Sequence, residues 1–186
     1  MRYRKEEITA LDKIYFATEK LIKEKDYNKI NNSEIIREAN ISRSTFYIYF
    51  KNKDQIVTHL CDDIFNHIFS KELKKERLHD FSKESSDNLK GIITHSFHHF
   101  LEDKEFILAI LNSGASQIFL KQLRKRIKPL VLSLVDKKII GNNDIPLDIK
   151  THQYVNGYTA LLQYYLRHGE DLTPEQICEY YFSFYK

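Results

Sequence analysis

The sequence predicts an all-α protein of about nine helices: an N-terminal three-helix head built around a helix-turn-helix, followed by a helical body. Three observations carry this. Apolar residues recur at three- and four-residue spacing through almost the whole chain, the period of a helix with one buried face. Only 5 glycines and 3 prolines occur in 186 residues, too few for the many turns of a sheet. Helix start signals, an Asn or Thr followed three residues later by Glu or Gln, precede apolar runs.

The elements follow in order. Residues 6–25 form a helix with Ile8, Leu11, Ile14, Tyr15, Thr18, Leu21 and Ile22 on one face. Asp26-Tyr27-Asn28 is a turn. In Asn31-Asn32-Ser33-Glu34, Asn31 accepts from the Glu34 amide while the Glu34 side chain reaches back, a capping box. The helix it opens ends near Ala39, and Asn40 supplies a left-handed turn residue. Ser42 caps a short helix over 43–49. A long helix runs from 54 to about 77 with Ile56, Val57, Leu60, Ile64, Ile68 and Phe69 inward, and the polar stretch 80–87 is a loop. Helices follow over 88–101, 106–111 and 116–138, the last carrying Pro129 as a kink. Residues 141–146 form a loop. The helix over 148–168 closes on a left-handed Gly169. Thr173-Pro174-Glu175-Gln176 then starts the last helix. The chain divides into a head, 1–53, and a body, 54–186.

Composition narrows the function classes. Hydrophobic residues make up 42% of the chain, enough for a buried core. No run approaches the roughly 18 apolar residues of a membrane span. The first residues, MRYRKEEITALDK, lack the apolar stretch of a signal peptide. The expectation is a cytoplasmic protein without membrane contact. Cys61 and Cys178 stand far apart, outside metal or redox spacing, and read as buried thiols. No Gly-rich phosphate loop or nucleophile motif is present. The adjacent carboxylates Asp62-Asp63 and Glu102-Asp103 do not face each other on a helix. An enzyme is therefore not expected, and no cofactor is.

Charge points elsewhere. Residues 1–54 hold 12 Lys and Arg against 9 Asp and Glu, whereas 55–186 hold 17 of each, so the whole net charge of +3 lies in the first third. From Ile41 to Lys53 there are three bases, Arg43, Lys51 and Lys53, and no acid. Phosphate contacts supply most nucleic-acid affinity, and such a face suits them. On the 43–49 helix, Phe46 and Phe50 point to a core with Ile35, Ile36, Ala39 and Ile41. Arg43, Ser44, Tyr47 and Ile48 lie on the other side. Arg43 sits where a recognition helix touches base edges. Ser42, Ser44 and Thr45 are short donors suited to phosphate. Tyr47 and Tyr49 can donate a hydroxyl to phosphate, and Lys53 can pair with the backbone.

Residues 39–54, ANISRSTFYIYFKNKD, resemble the signature of the TetR family of transcriptional regulators, roughly A-G-V-S-x-x-T-L-Y-x-Y-F-x-x-K-E. Ile14, Ala17, Leu21 and Tyr27 are similar to that family's first helix. The resemblance implies a dimeric DNA-binding regulator. It implies DNA-facing roles for Ser42, Arg43, Ser44, Thr45, Tyr47 and Tyr49, a phosphate-binding Lys53, and a phosphate contact at Asn31. Asn40 stands for the family's turn glycine, Ile36 for an alanine and Asn32 for an apolar residue. The stretch 154–177 is similar to the branch that includes the dihydroxyacetone-kinase operon regulator.

The family implies that the body holds an effector pocket and a dimer interface. Nine of the 24 aromatic residues lie in 148–186, and aromatics are enriched at interface cores. Tyr154, Gly157, Leu161, Tyr165, Tyr181 and Phe184 are the expected dimer face. His95, His98, His99, Phe100 and Tyr158 are the expected pocket lining. The three histidines share the i, i+3, i+4 spacing that can hold zinc. Glu102 is one turn on, but no cysteine or closer carboxylate offers a fourth ligand, and no metal site is expected. The function read here is a ligand-responsive repressor that binds a near-palindromic double-stranded operator as a homodimer, with an unknown small-molecule effector. The alternatives are an activator of the same fold and a helical adaptor that binds only protein.

Overall fold

The computed structural model describes residues 8–69, 88–141 and 144–185. Among them there are nine α-helices and no strand. They are α1 (Ala10–Glu24), α2 (Asn32–Glu38), α3 (Arg43–Tyr49), α4 (Lys53–Ile68), α5 (Leu89–Glu102), α6 (Lys104–Leu111), α7 (Ser116–Asp136), α8 (Leu147–His168) and α9 (Pro174–Ser183). A single 3-10 turn, Tyr27–Lys29, follows α1. No helix among the described residues is long and apolar enough to cross a membrane. The expected extension of α4 to 77 and the loop over 80–87 lie outside the described residues.

Two compact units form. The first joins residues up to Asp63 with Glu105–Phe119; the second joins Ile64–Lys104 with Leu120 onward. In the first unit, α1 packs on α2 and α3. Ile14, Leu21, Ile22, Ile35, Ile36, Phe46, Phe50, Ile56, Val57 and Leu60 are buried there. Each such side chain contributes about 1.5–3 kcal/mol on leaving water. In the second unit, α5, α8 and α9 pack on one another. Their core is aromatic: Phe97 lies 5.1 Å from Tyr158, and Tyr158 meets Tyr181 edge-on at 5.8 Å. The Tyr158 hydroxyl is 2.6 Å from Ser96 Oγ, so this buried polar tip is satisfied. Cys61 and Cys178 are buried and not disulfide-bonded.

Helix ends follow local chemistry, with three departures from expectation. Helix α1 starts at Ala10 rather than residue 6, because Thr9 and Asp12 form a capping box that the apolar period does not report. Ile8 is consequently exposed. Gly169 is not left-handed; its φ is −90°. A Cβ there would collide with the ring and carbonyl of Tyr165, so close approach is what requires glycine. Helix α7 ends at Asp136 with Lys138 in the left-handed region at φ 55°. The Lys138 amide donates to Val135 and the Ile139 amide to Leu134, a Schellman closure. A lysine gives no sequence signal for it.

Candidate nucleic-acid interface

The helix-turn-helix is built from caps. Asn31 Oδ1 accepts from the Glu34 amide at 3.0 Å, and the Glu34 carboxylate accepts from the Asn31 amide at 3.0 Å. Lys25 pairs with Glu34. Hydrogen bonds from Lys25 and Asn31 hold the Glu34 carboxyl below the usual range. At the other end of α2, Asn40 stands at φ 50°. Its amide donates to Arg37 at 3.1 Å and the Ile41 amide to Ile36 at 3.3 Å, again a Schellman closure. Asparagine adopts this conformation at low cost, which explains how it replaces glycine. Ser42 then caps α3, accepting from the Thr45 amide at 3.0 Å.

These restraints present one face of α3 to solvent. Phe46 and Phe50 are buried beneath it, while Tyr47 is 53%, Ile48 78% and Tyr49 43% exposed. Exposed apolar and aromatic side chains beside a cation, with no acid from Ile41 to Lys53, suit contact with bases, sugars and phosphates. Arg43 is exposed at the start of α3, with Nη2 3.4 Å from Ser33 Oγ. The hydroxyls are engaged locally: Ser42 Oγ lies 2.8 Å from both Ser44 Oγ and Thr45 Oγ1. Asn31 is exposed, but its Oδ1 is the α2 cap. Of the eight expected contact residues, Ser42, Arg43, Ser44, Tyr47 and Tyr49 are exposed on α3 and its cap, Thr45 is half-buried there, and Asn31 is exposed at the start of α2.

Lys53 is the exception. Its Nζ donates to the Tyr27 carbonyl at 2.6 Å and the Ile30 carbonyl at 2.8 Å, and lies 4.3 Å from the centre of the Tyr27 ring. The Tyr27 hydroxyl donates to Asp54. The ammonium therefore helps to close the turn after α1, adding a donor to the Tyr27 carbonyl that the Ile30 amide also reaches at 3.1 Å. A solvent-facing phosphate role for Lys53 is corrected accordingly.

Residues the sequence did not single out complete the surface. Gln55, Thr58 and His59 of α4 line a groove of about 370 Å³ with Tyr47, Ile48, Tyr49, Phe50 and Lys51. Gln55 Oε1 accepts from the Lys51 amide at 2.7 Å, and Asn52 Oδ1 accepts from the Gln55 amide at 3.0 Å. Asn32 donates to the Lys51 carbonyl at 3.2 Å, tying the start of α2 to the loop after α3. Helical periodicity carries no signal for such cross-element bonds.

In the body, the expected groupings separate. His95, His99, Phe100 and Tyr158 are buried. His98 turns instead toward α9 and bonds Glu175 at 2.7 Å, so the five do not line one surface. Of the expected dimer face, Tyr154, Tyr165 and Tyr181 are buried within the chain, which corrects their assignment to a surface. Their hydroxyls and rings satisfy the core: Tyr165 donates to Leu172 and Tyr181 to Tyr154. Gly157 makes room for the Tyr185 hydroxyl. Leu161 is half-buried, and Phe184 is 72% exposed.

Residues 14–60 match the model for bacterial regulatory proteins of the tetR family, and residues 87–185 match that for a transcriptional regulator C-terminal region. An HTH-type transcriptional regulator of Haemophilus influenzae is 27% identical over 117 residues, which are 63% of this chain and 60% of that protein. The match therefore spans less than two thirds of the relative's length. The solved TetR transcriptional regulator from Streptococcus agalactiae 2603V aligns with a TM-score of 0.75 at 26% identity, covering 94% of this chain and 92% of its own. The dihydroxyacetone kinase operon activator DhaS shares the fold at 17% identity, with a TM-score of 0.60 over 95% of this chain and 94% of its own.

Proposed function

Because the chain belongs to the TetR family of transcriptional regulators, we propose that it binds a near-palindromic operator as a homodimer and releases it when a small molecule binds the body. It is a transcription factor and not an enzyme. The observation that carries the proposal is the face of α3. Arg43, Tyr47, Ile48 and Tyr49 project outward from a helix whose other side is locked by Phe46 and Phe50. Arg43 reads a guanine edge, the commonest specific contact in the major groove. Tyr47 and Tyr49 meet sugar and phosphate. Asn31, Ser42, Ser44 and Thr45 place the turn against the backbone.

A single seven-residue helix reads too few bases for specificity, so two copies act together. Exposed Tyr164, Tyr180 and Phe184, with Leu161 and Ala160, form the dimer face in place of the inward-facing tyrosines. Half-sites then lie about 34–36 Å apart, roughly one helical turn. The effector acts by differential affinity for two arrangements of the dimer, only one of which fits the operator. Helix α4 belongs to both units, with Lys53–Asp63 in the first and Ile64–Ile68 in the second, so it provides a continuous covalent route between them.

Selection of genomic fragments with the purified protein, followed by gel-shift at two salt concentrations, tests the reading. The expected outcome is a recurring two-fold motif bound more weakly at high salt. Recovery of no enriched motif would return the chain to the class of helical adaptors.

A further inference from the structure

The groove between α3 and α4 holds an ionisable group that base reading by α3 does not use. His59 is exposed on α4, and its ring meets Phe50 edge-on with centroids 5.3 Å apart. Phe50 is buried and lies 6.1 Å from the ring of Tyr15 on α1. The imidazole thus stands in the groove wall against the core of the first unit.

The chemistry of that wall is one-sided. Tyr47, Tyr49, Lys51, Gln55, Thr58 and His59 line it with hydroxyls, an ammonium, an amide and an imidazole, and no lining residue is acidic. Gln55 Oε1 accepts from the Lys51 amide at 2.7 Å, so that side chain has its N–H donors left to offer. Thr58 gives its proton to the Asp54 carbonyl at 2.8 Å and serves as wall. Such a set of donors fits an anion, and a charged donor strengthens each bond it makes. The groove is also continuous with Tyr47, Ile48 and Tyr49 on the exposed face of α3. Phosphates border the major groove along both strands, and contacts to them fix the register of a protein on the duplex.

We propose that this groove seats a backbone phosphate of the operator and that protonated His59 pairs with it, so that operator binding takes up a proton in each subunit. The proposal rests on operator binding through α3 and adds an occupant for the groove and a dependence on pH. Around the imidazole, α3 and the loop after it supply Tyr47, Tyr49 and Lys51. Helix α4 supplies Asp62 and Asp63, three and four residues after His59, and Asp54, whose carboxylate accepts from the Tyr27 hydroxyl. Helix α1 supplies Tyr15, which hydrogen-bonds Asp63, with Asp12 beside it. Carboxylates, phenols and ammoniums ordinarily titrate well outside pH 6–8, whereas imidazole changes charge within it. A phosphate that pairs with the imidazolium favours the protonated form. Affinity is therefore highest below the ordinary imidazole range and falls as pH rises through it.

The test binds the full chain to the operator duplex recovered by selection, at about pH 6 and about pH 8, over a series of salt concentrations. Wild-type affinity should be about tenfold or more higher at the lower pH, because each of two subunits takes up a proton. The slope of log affinity against log salt should be steeper at the lower pH by roughly 0.9 per subunit. His59→Gln keeps a donor that cannot be charged and should lose both differences. His59→Lys carries its charge at both pH values. It should bind more tightly than the wild type at the higher pH, by about tenfold, with little pH difference of its own. Circular dichroism checks that each variant is folded, and should one fail to fold, the other decides. A wild-type affinity equal at the two pH values overturns the proposal without any variant. Equal pH and salt differences in the wild type and His59→Gln overturn it as well and leave His59 as cover for Phe50. Recovery of no operator removes base reading by α3 and this proposal together, whereas a selected operator bound without a pH difference removes this proposal alone.

Discussion

Lys53 Nζ donates to the Tyr27 carbonyl at 2.6 Å while lying 4.3 Å from the centre of the same residue's ring. One ammonium thus joins the start of α4 to the turn after α1 through a hydrogen bond and a cation–π contact. Lys53→Met keeps the stem and removes both. Charge-assisted hydrogen bonds contribute about 1.5–3 kcal/mol each when partly buried, so the head should lose on the order of 2 kcal/mol in urea unfolding. The slope of log affinity against log salt should stay close to wild type. A drop in slope of about 0.9, the signature of one lost phosphate contact, would restore the solvent-facing role for Lys53.

Arg43→Ala should cost about 1–3 kcal/mol in operator affinity and relax preference at one base pair. Its stability should hardly move, because the side chain is exposed and its contact with Ser33 among the described residues is long. Binding-site selection with the variant checks this. Equal weakening on all sequences would make Arg43 a phosphate contact instead.

Asn40 occupies the left-handed region at φ 50°. Asn40→Gly should be neutral or slightly stabilising, whereas Asn40→Val should destabilise the head by about 1–2 kcal/mol. Thermal melts of the two variants give the comparison. Equal melting temperatures would show that the turn relaxes out of the left-handed region.

Partial burial pushes the Glu175 carboxyl up, but hydrogen bonds from His98, its own amide and Thr173 outweigh this and hold it below the usual range. A carboxyl depressed in the folded state stabilises above the unfolded value, about 4.3. That contribution disappears as pH falls through the lower folded value. His98→Ala should move the Glu175 titration upward toward the ordinary carboxylate range and lessen the loss of stability as pH falls below the unfolded value. An unchanged NMR titration curve for Glu175 would assign its shift to the helix start alone.

Phe184 is exposed and Tyr181, one turn earlier on α9, is buried. Phe184→Asp should produce monomers that keep their helical content. Tyr181→Ala should cost about 3–5 kcal/mol through the cavity it leaves. Sedimentation with circular dichroism separates the two. A Phe184→Asp variant that remains dimeric would place the interface elsewhere.

Local chemistry was legible in the amino-acid sequence alone. The all-α class, the capping boxes at Asn31 and Thr173, the Ser42 cap and the left-handed Asn40 all follow from groups within a few residues of one another. The exposed side of α3 was legible for the same reason, since a helix separates Phe46 and Phe50 from Tyr47 and Ile48 by its own period. Relations across long chain separations were not. Only the tertiary structure turned Lys53 onto Tyr27, sent His98 to Glu175 and His95 to the end of α4, and placed Tyr165 and Tyr181 inside the core. Aromatic residues bury equally well in a core or an interface, and an ammonium is satisfied equally by a carbonyl or a phosphate. Residue type leaves such choices open, and packing decides them by which partner each side chain can reach.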